Sequence, residues 1–339
     1  MRLTGSVSPA GLCALLVLLA GLATSSPAFA FSSGSASLRL CDSPSRLGAP
    51  EQDRLLRFAG RIKAELAASG QALALIARSG TDLRRVGLRY SHAGLALRDS
   101  AASPWAVRQL YYACEEGAPR LFDQGLPGFV MGADNPALGH VSVLLLPPGA
   151  AADLAQSALD KPTALSVLHP AYSANAYAFS TTFQNCNQWV AELMAVSWGR
   201  LSVPASSEAA PAAVATTPAT TPATTPATTP ATTRAAAQAW LQAAGYVPTP
   251  VQVRWRPVVW LAPLVPYVHN SDHPEADLAA AVYRVSMPDA LEAFARAQHP
   301  GAQRLEFCHD ARQIVLRRDG APLPDDCSAG EGDTVWPLD

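Results

Sequence analysis

Apolar residues recur along this chain in two periods. Between Pro50 and Ser69 they fall three and four apart, with Leu55, Ala59, Ile62 and Leu66 on one face and Gly70 as a stop. That spacing predicts an amphipathic helix, since 3.6 residues per turn bring such positions together. Leu73–Ala77 reads as a buried strand, and His92–Leu97, Trp105–Tyr112 and His140–Leu146 read as further strands. Ala151–Leu159 predicts a short helix, and a longer one runs from Cys186 to about Trp198. Later, Ala235–Ala244 is helical with Gly245 ending it, and Ser286 is read as the cap of a helix over Pro288–Ala297. Gln313-Ile314-Val315-Leu316 followed by Asp319-Gly320 predicts a hairpin. The order is that of an α+β fold: an antiparallel sheet packed against the Cys186 helix, with extra C-terminal helices and a hairpin.

Two stretches break the pattern. Residues 1–30 have the plan of an export leader: Arg2, an apolar run from Gly11 to Leu22, and a small-x-small site at Ala28-Phe29-Ala30. The expected mature chain begins near Phe31, is periplasmic or secreted, and has no later run long enough for a membrane span. Residues 204–233 contain an almost unbroken Ala-Thr-Thr-Pro repeat without large apolar side chains. Such a tract favours extended, solvated backbone, so it is expected to be a disordered insertion. It would interrupt one domain formed by 31–203 and 234–300, because the helix after it is too short to pack alone. Residues 301–339 are read as a disulfide-closed extension.

Charge narrows the partners. Lys and Arg number 25 against 27 Asp and Glu, a formal charge of −2 with no basic run, which argues against nucleic acid. Without the leader, Cys41, Cys114, Cys186, Cys308 and Cys327 remain. An odd number in an oxidising compartment leaves at least one thiol free within a single chain. Cys308 with Cys327 and Cys41 with Cys114 are natural pairs, although sequence alone does not fix connectivity.

The pairing would leave Cys186, in Gln184-Asn185-Cys186-Asn187-Gln188-Trp189 at the start of its helix. A thiol in a first turn faces the positive helix end, which lowers its pKa and favours thiolate. Earlier in the chain, Tyr90-Ser91-His92-Ala93-Gly94 opens a strand and offers an imidazole base. Gln109 on the next strand has a carbonyl oxygen able to accept from the ring N–H and hold its tautomer. Tyr177, Asn185 and Trp189 are assigned to the cleft as substrate-binding residues. His269 and His273 have metal-capable spacing, but Pro274 and the Asn-Ser-Asp composition favour a turn before a helix. No metal or cofactor is expected.

At these residues the chain resembles permuted NlpC-type papain-like hydrolases, in which the histidine strand precedes the cysteine helix. Asn185-Cys186 before an apolar helix also resembles the motif of lecithin:retinol acyltransferase-like proteins. More narrowly, Leu88–Gly94, Trp105-x-Val107, Gln184–Trp189, Ala239-Trp240-Leu241 and Asp272–Glu275 resemble a bacterial family known as domain of unknown function 2145. The resemblance covers about Leu40 to Gln298. It implies a papain-like permuted fold and an exported cysteine hydrolase or acyl-transfer enzyme, with Cys186 as nucleophile and His92 as base. Its substrate would be an amide or ester of the cell envelope, carried by a peptide, glycan or lipid. Gln109 stands where such enzymes usually carry His. The alternative is an inactive periplasmic binding or assembly module on the same scaffold.

Overall fold

The structure is a computed structural model that describes residues 47–338 apart from 82, 114–115, 134, 204–232 and 266. The leader, Cys41, Cys114 and most of the Ala-Thr-Thr-Pro segment lie outside the described residues. In chain order the elements begin with α1 (Ala49–Ala68), β1 (Leu73–Arg78), β2 (His92–Leu97), β3 (Ala106–Ala113), β4 (Ala118–Gln124), α2 (Leu126–Met131) and β5 (Gly139–Leu145). Three helices follow, α3 (Pro148–Leu159), α4 (Lys161–Ser166) and α5 (Cys186–Trp198). Beyond the tract come α6 (Thr233–Ala243), β6 (Thr249–Gln252), α7 (Pro257–Leu261), α8 (Glu275–Ala279), β7 (Val282–Val285) and α9 (Pro288–Gln298). The chain closes with β8 (Gln303–His309), β9 (Gln313–Arg318) and β10 (Thr334–Pro337).

Eight strands form one antiparallel sheet in the order β10-β9-β8-β5-β1-β2-β3-β4, and β6 pairs with β7 in a separate ribbon. Both faces of the large sheet are covered. Leu73, Leu75 and Ala77 of β1 join Leu95, Leu97 and Leu110 in a core with residues of α3, α5 and α9. The alternate residues Ala74 and Ile76 join Val107, Val143 and Phe307 on the opposite face, against Leu55, Phe58, Ile62 and Leu66 of α1. The period-two alternation of a strand therefore feeds two apolar layers, which is why β1 is one continuous buried run.

The C-terminal strands enlarge this sheet. β8 pairs with β5, and the β8–β9 hairpin turns at 310–312 rather than at Asp319-Gly320. Asp319 and Gly320, both at positive φ, lead out of β9. The Cys308–Cys327 disulfide ties β8 to the loop before β10, across a sequence separation of 19. Ser286 does not cap α9: Met287 occupies the N-cap without a side-chain hydrogen bond. His273 lies in a turn closed by its N–H to the Asn270 carbonyl, with α8 following, and no metal-binding cluster occurs among the described residues.

A candidate thiol site at the start of α5

The amides around Cys186 are mostly scaffolding. Asn185 is the N-cap of α5, its Oδ1 accepting from the Gln188 N–H at 2.7 Å, which satisfies an otherwise orphaned donor. Gln188 Nε2 donates to the Ala178 carbonyl at 3.2 Å and so holds the preceding loop. Gln184 Nε2 donates to Glu192 Oε2 at 2.6 Å and to the Val167 carbonyl at 2.7 Å. Asn187 reaches the sheet, accepting from the Ala93 N–H at 2.9 Å and donating to the Ser91 carbonyl at 3.2 Å. These two bonds straddle His92 and fix the start of α5 to the start of β2.

A buried ion pair stiffens the same helix from the side. Arg234 of α6 donates to Glu192 Oε2 at 2.8 Å through Nε and to Oε1 at 3.0 Å through Nη2. Gln238 donates to Oε1 at 2.7 Å. With Gln184, the carboxylate receives four hydrogen bonds, which offset the cost of burying its charge. The chain following residue 232 is thereby packed onto the Cys186 helix.

His92 and Gln109 form a hydrogen-bonded pair, ring Nε2 with amide Oε1. An oxygen that can only accept assigns the proton to Nε2 and leaves Nδ1 as the basic nitrogen. Gln109 Nε2 then donates to Gln124 Oε1 at 2.6 Å, so the amide is itself oriented. Gly94 lets β3 come this close: a Cβ there would lie 2.6 Å from Val107 Cγ1 and 2.9 Å from the Arg108 carbonyl oxygen. Arg78, opposite His92 across the β1–β2 ladder, carries a positive charge that acts on both the imidazole and the thiol.

Cys186 is half-buried and is the free cysteine among the described residues. The sequence expectation of a low-pKa thiolate is overturned here. Burial pushes the thiol up to about 11, against the opposing pull of the Asn187 N–H, Arg78, its own N–H and the Tyr172 hydroxyl. Burial, with Arg78, holds His92 down at about 3, while Gln109 works the other way. Both groups are therefore neutral near pH 7. No hydrogen bond joins them among the described residues. The thiol pairs instead with Tyr172, whose ring stacks on Tyr112 at 5.0 Å between centroids, with Tyr267 edge-on to Tyr112 at 6.1 Å.

The three residues assigned to substrate binding are placed otherwise. Trp189 is fully buried, with its indole N–H on the Ala164 carbonyl at 3.1 Å, so it has no exposed surface to offer a ligand. Asn185 is buried and committed to capping. Tyr177 packs against Phe179 and His273. The tyrosine at the thiol is Tyr172, and the residues that sequence reasoning missed are Tyr172, Asn187 and Arg78. Asn187 had a signal, being polar in the first turn of a buried helix beside the cysteine. Arg78 had one too, as a charge at the end of an apolar strand.

Fold and site together define an α+β protein built round a thiol at a helix N-terminus. The chain belongs to the bacterial family described as an uncharacterized protein conserved in bacteria (DUF2145), whose model matches residues 65–295. That span runs from the end of α1 into α9 and contains His92, Gln109 and Cys186. No curated protein and no solved structure matches the chain.

Proposed function

We propose that the protein is an exported thiol hydrolase or acyl-transfer enzyme with a permuted NlpC-type, papain-like core, acting on an amide or ester of the cell envelope. The observation that carries this reading is the clamp of Asn187 on Ser91 and Ala93, the two chain neighbours of His92, which fixes the start of α5, and Cys186 with it, to the start of β2. The predicted leader supports the envelope location, and the disulfide accords with an oxidising compartment.

In this mechanism the resting pair is neutral. Nδ1 of His92 takes the thiol proton as Sγ attacks the carbonyl carbon, forming a C–S bond and an oxyanion. The Cys186 N–H and the Tyr172 hydroxyl are the nearby donors for that oxygen. The imidazolium returns its proton to the leaving amine or alcohol as the C–N or C–O bond breaks. Water or a second acceptor, deprotonated by His92, then releases the acyl group and restores the thiol. The mechanism requires Cys186 Sγ and His92 Nδ1 to come within hydrogen-bond reach in the substrate complex.

A second reading is a binding module on the same scaffold, favoured by the pairing of the thiol with Tyr172 in place of His92. Incubation with p-nitrophenyl acetate, followed by intact-mass and peptide mass spectrometry, separates the two. The enzyme reading expects an acetyl group on Cys186 within a rapid burst, slowed at least about a hundredfold in His92→Ala. Acetylation of Cys186 at equal rates in the folded wild type and His92→Ala would leave the binding module.

A further inference from the structure

Five large apolar side chains stand out from the segment joining β6 to α8. Trp260 and Leu264 are each 77% exposed and Trp255 is 63% exposed, with Leu261 and Val258 beside them in sequence and also exposed. Such a cluster in a folded domain marks a contact surface. The geometry of α7 explains its outward aim. Val259 is buried in a small core with Leu88, Tyr283 and Val285. At about 100° per residue, Val258, Trp260 and Leu261 all fall within about 80° of the direction opposite Val259. The base of the segment is fixed: Asn270 Nδ2 donates to the Val259 carbonyl at 2.6 Å, and the Tyr283 hydroxyl holds Asn270 Oδ1 at 2.9 Å.

Within the segment itself the charge has one sign. Arg254 and Arg256 flank Trp255 and are exposed, and no Asp or Glu occurs between Glu208 and Asp272. Indole rings with aliphatic side chains and arginines, free of acids, make the composition that settles at the boundary between lipid headgroups and acyl chains. A second copy of this chain is a poorer occupant. A two-fold contact sets a patch against itself, which would bring the arginines of both copies together without an acid from the segment. No helix of the described residues is long and apolar enough to cross a membrane, so the contact is interfacial.

We propose that residues 254–264 dock the protein on an anionic lipid surface, with Trp255, Trp260, Leu261 and Leu264 entering the interface and Arg254 and Arg256 meeting phosphate headgroups. The segment leads to Tyr267, whose carbonyl accepts from the Ala174 N–H at 2.8 Å and whose ring joins the tyrosine wall beside Cys186. Docking therefore holds the thiol site near the bilayer, whether that site is catalytic or not.

The test is co-sedimentation of the mature chain with vesicles of phosphatidylethanolamine and phosphatidylglycerol, and with vesicles of phosphatidylcholine alone. Brominated acyl chains report penetration by quenching tryptophan. Binding to the anionic vesicles is expected with quenching of part of the emission, because Trp105 and Trp189 are buried. Trp260→Ser with Leu264→Ser should reduce partitioning about a hundredfold. Arg254→Gln and Arg256→Gln should each reduce it about fivefold, and only on the anionic vesicles. All four side chains are exposed, so the fold tolerates their loss, which circular dichroism checks. Absence of vesicle binding by the wild type overturns the proposal. So does a wild-type dimer in sedimentation equilibrium that Trp260→Ser disperses, since that assigns the patch to a second copy.

Discussion

The alkylation of Cys186 across pH is the sharpest measurement on this site, because helix position and burial pull its thiol in opposite directions. Burial wins in the structure and moves the group from its ordinary 9.0 to about 11. At pH 8 a thiol at its ordinary value is about one-tenth ionised, and one at about 11 is about one-thousandth ionised. A more basic thiolate is also a better nucleophile, with a Brønsted slope near 0.4–0.5, which restores about tenfold over two units. The net expectation is iodoacetamide labelling at pH 8 about tenfold slower than for an unperturbed cysteine, with the rate still climbing past pH 10. Tyr172→Phe removes a hydrogen bond that favours the thiolate, and Arg78→Met removes a positive charge, so each should move the midpoint higher still. Labelling followed by mass spectrometry from pH 6 to 11, with the fold checked at each point, gives the midpoint. A plateau reached below pH 8.5, raised by neither substitution but raised by His92→Ala, would mean that a preformed thiolate–imidazolium pair exists and that burial does not dominate.

Three further outcomes follow from the same geometry. His92 and His309 are held at about 3 and about 4, chiefly by burial, below the ordinary 6.5. The unfolded chain then takes up protons first as pH falls, so the two neutral imidazoles cost stability progressively below about 6.5, read as a falling Tm in scans from pH 7 to 4. Long-range nitrogen–proton NMR of the ring should show His92 as the Nε2–H tautomer, and Gln109→Leu should let the Nδ1–H form appear. Glu192→Ala leaves the Arg234 guanidinium buried without its carboxylate and should cost about 3–5 kcal/mol in urea unfolding, whereas Glu192→Met with Arg234→Leu should cost far less.

The sequence made most of the scaffold readable where one physical signal dominated. Leu55, Ala59, Ile62 and Leu66 fixed the face of α1, and the run of β2 from His92 to Leu97 was read to the residue. Strands β4, β6, β7, β8 and β10 escaped notice; β4 is half-exposed and contains Pro119, and β6 and β7 are only four residues each. The chemistry shows a deeper limit. Cys186, His92 and Gln109 stand out by residue type, whereas the state of the thiol depends on how much water reaches it, and that depends on side chains from distant elements. Tyr172, Tyr112 and Tyr267 come from three separate segments, and none is marked in the sequence as a neighbour of Cys186. Helix polarity is local and can be read from a cap residue such as Asn185, while desolvation is a property of the assembled core. When a local and a non-local term oppose each other at one atom, sequence reasoning registers the local one first, which is why it assigned Cys186 a thiolate where the folded chain favours the neutral thiol.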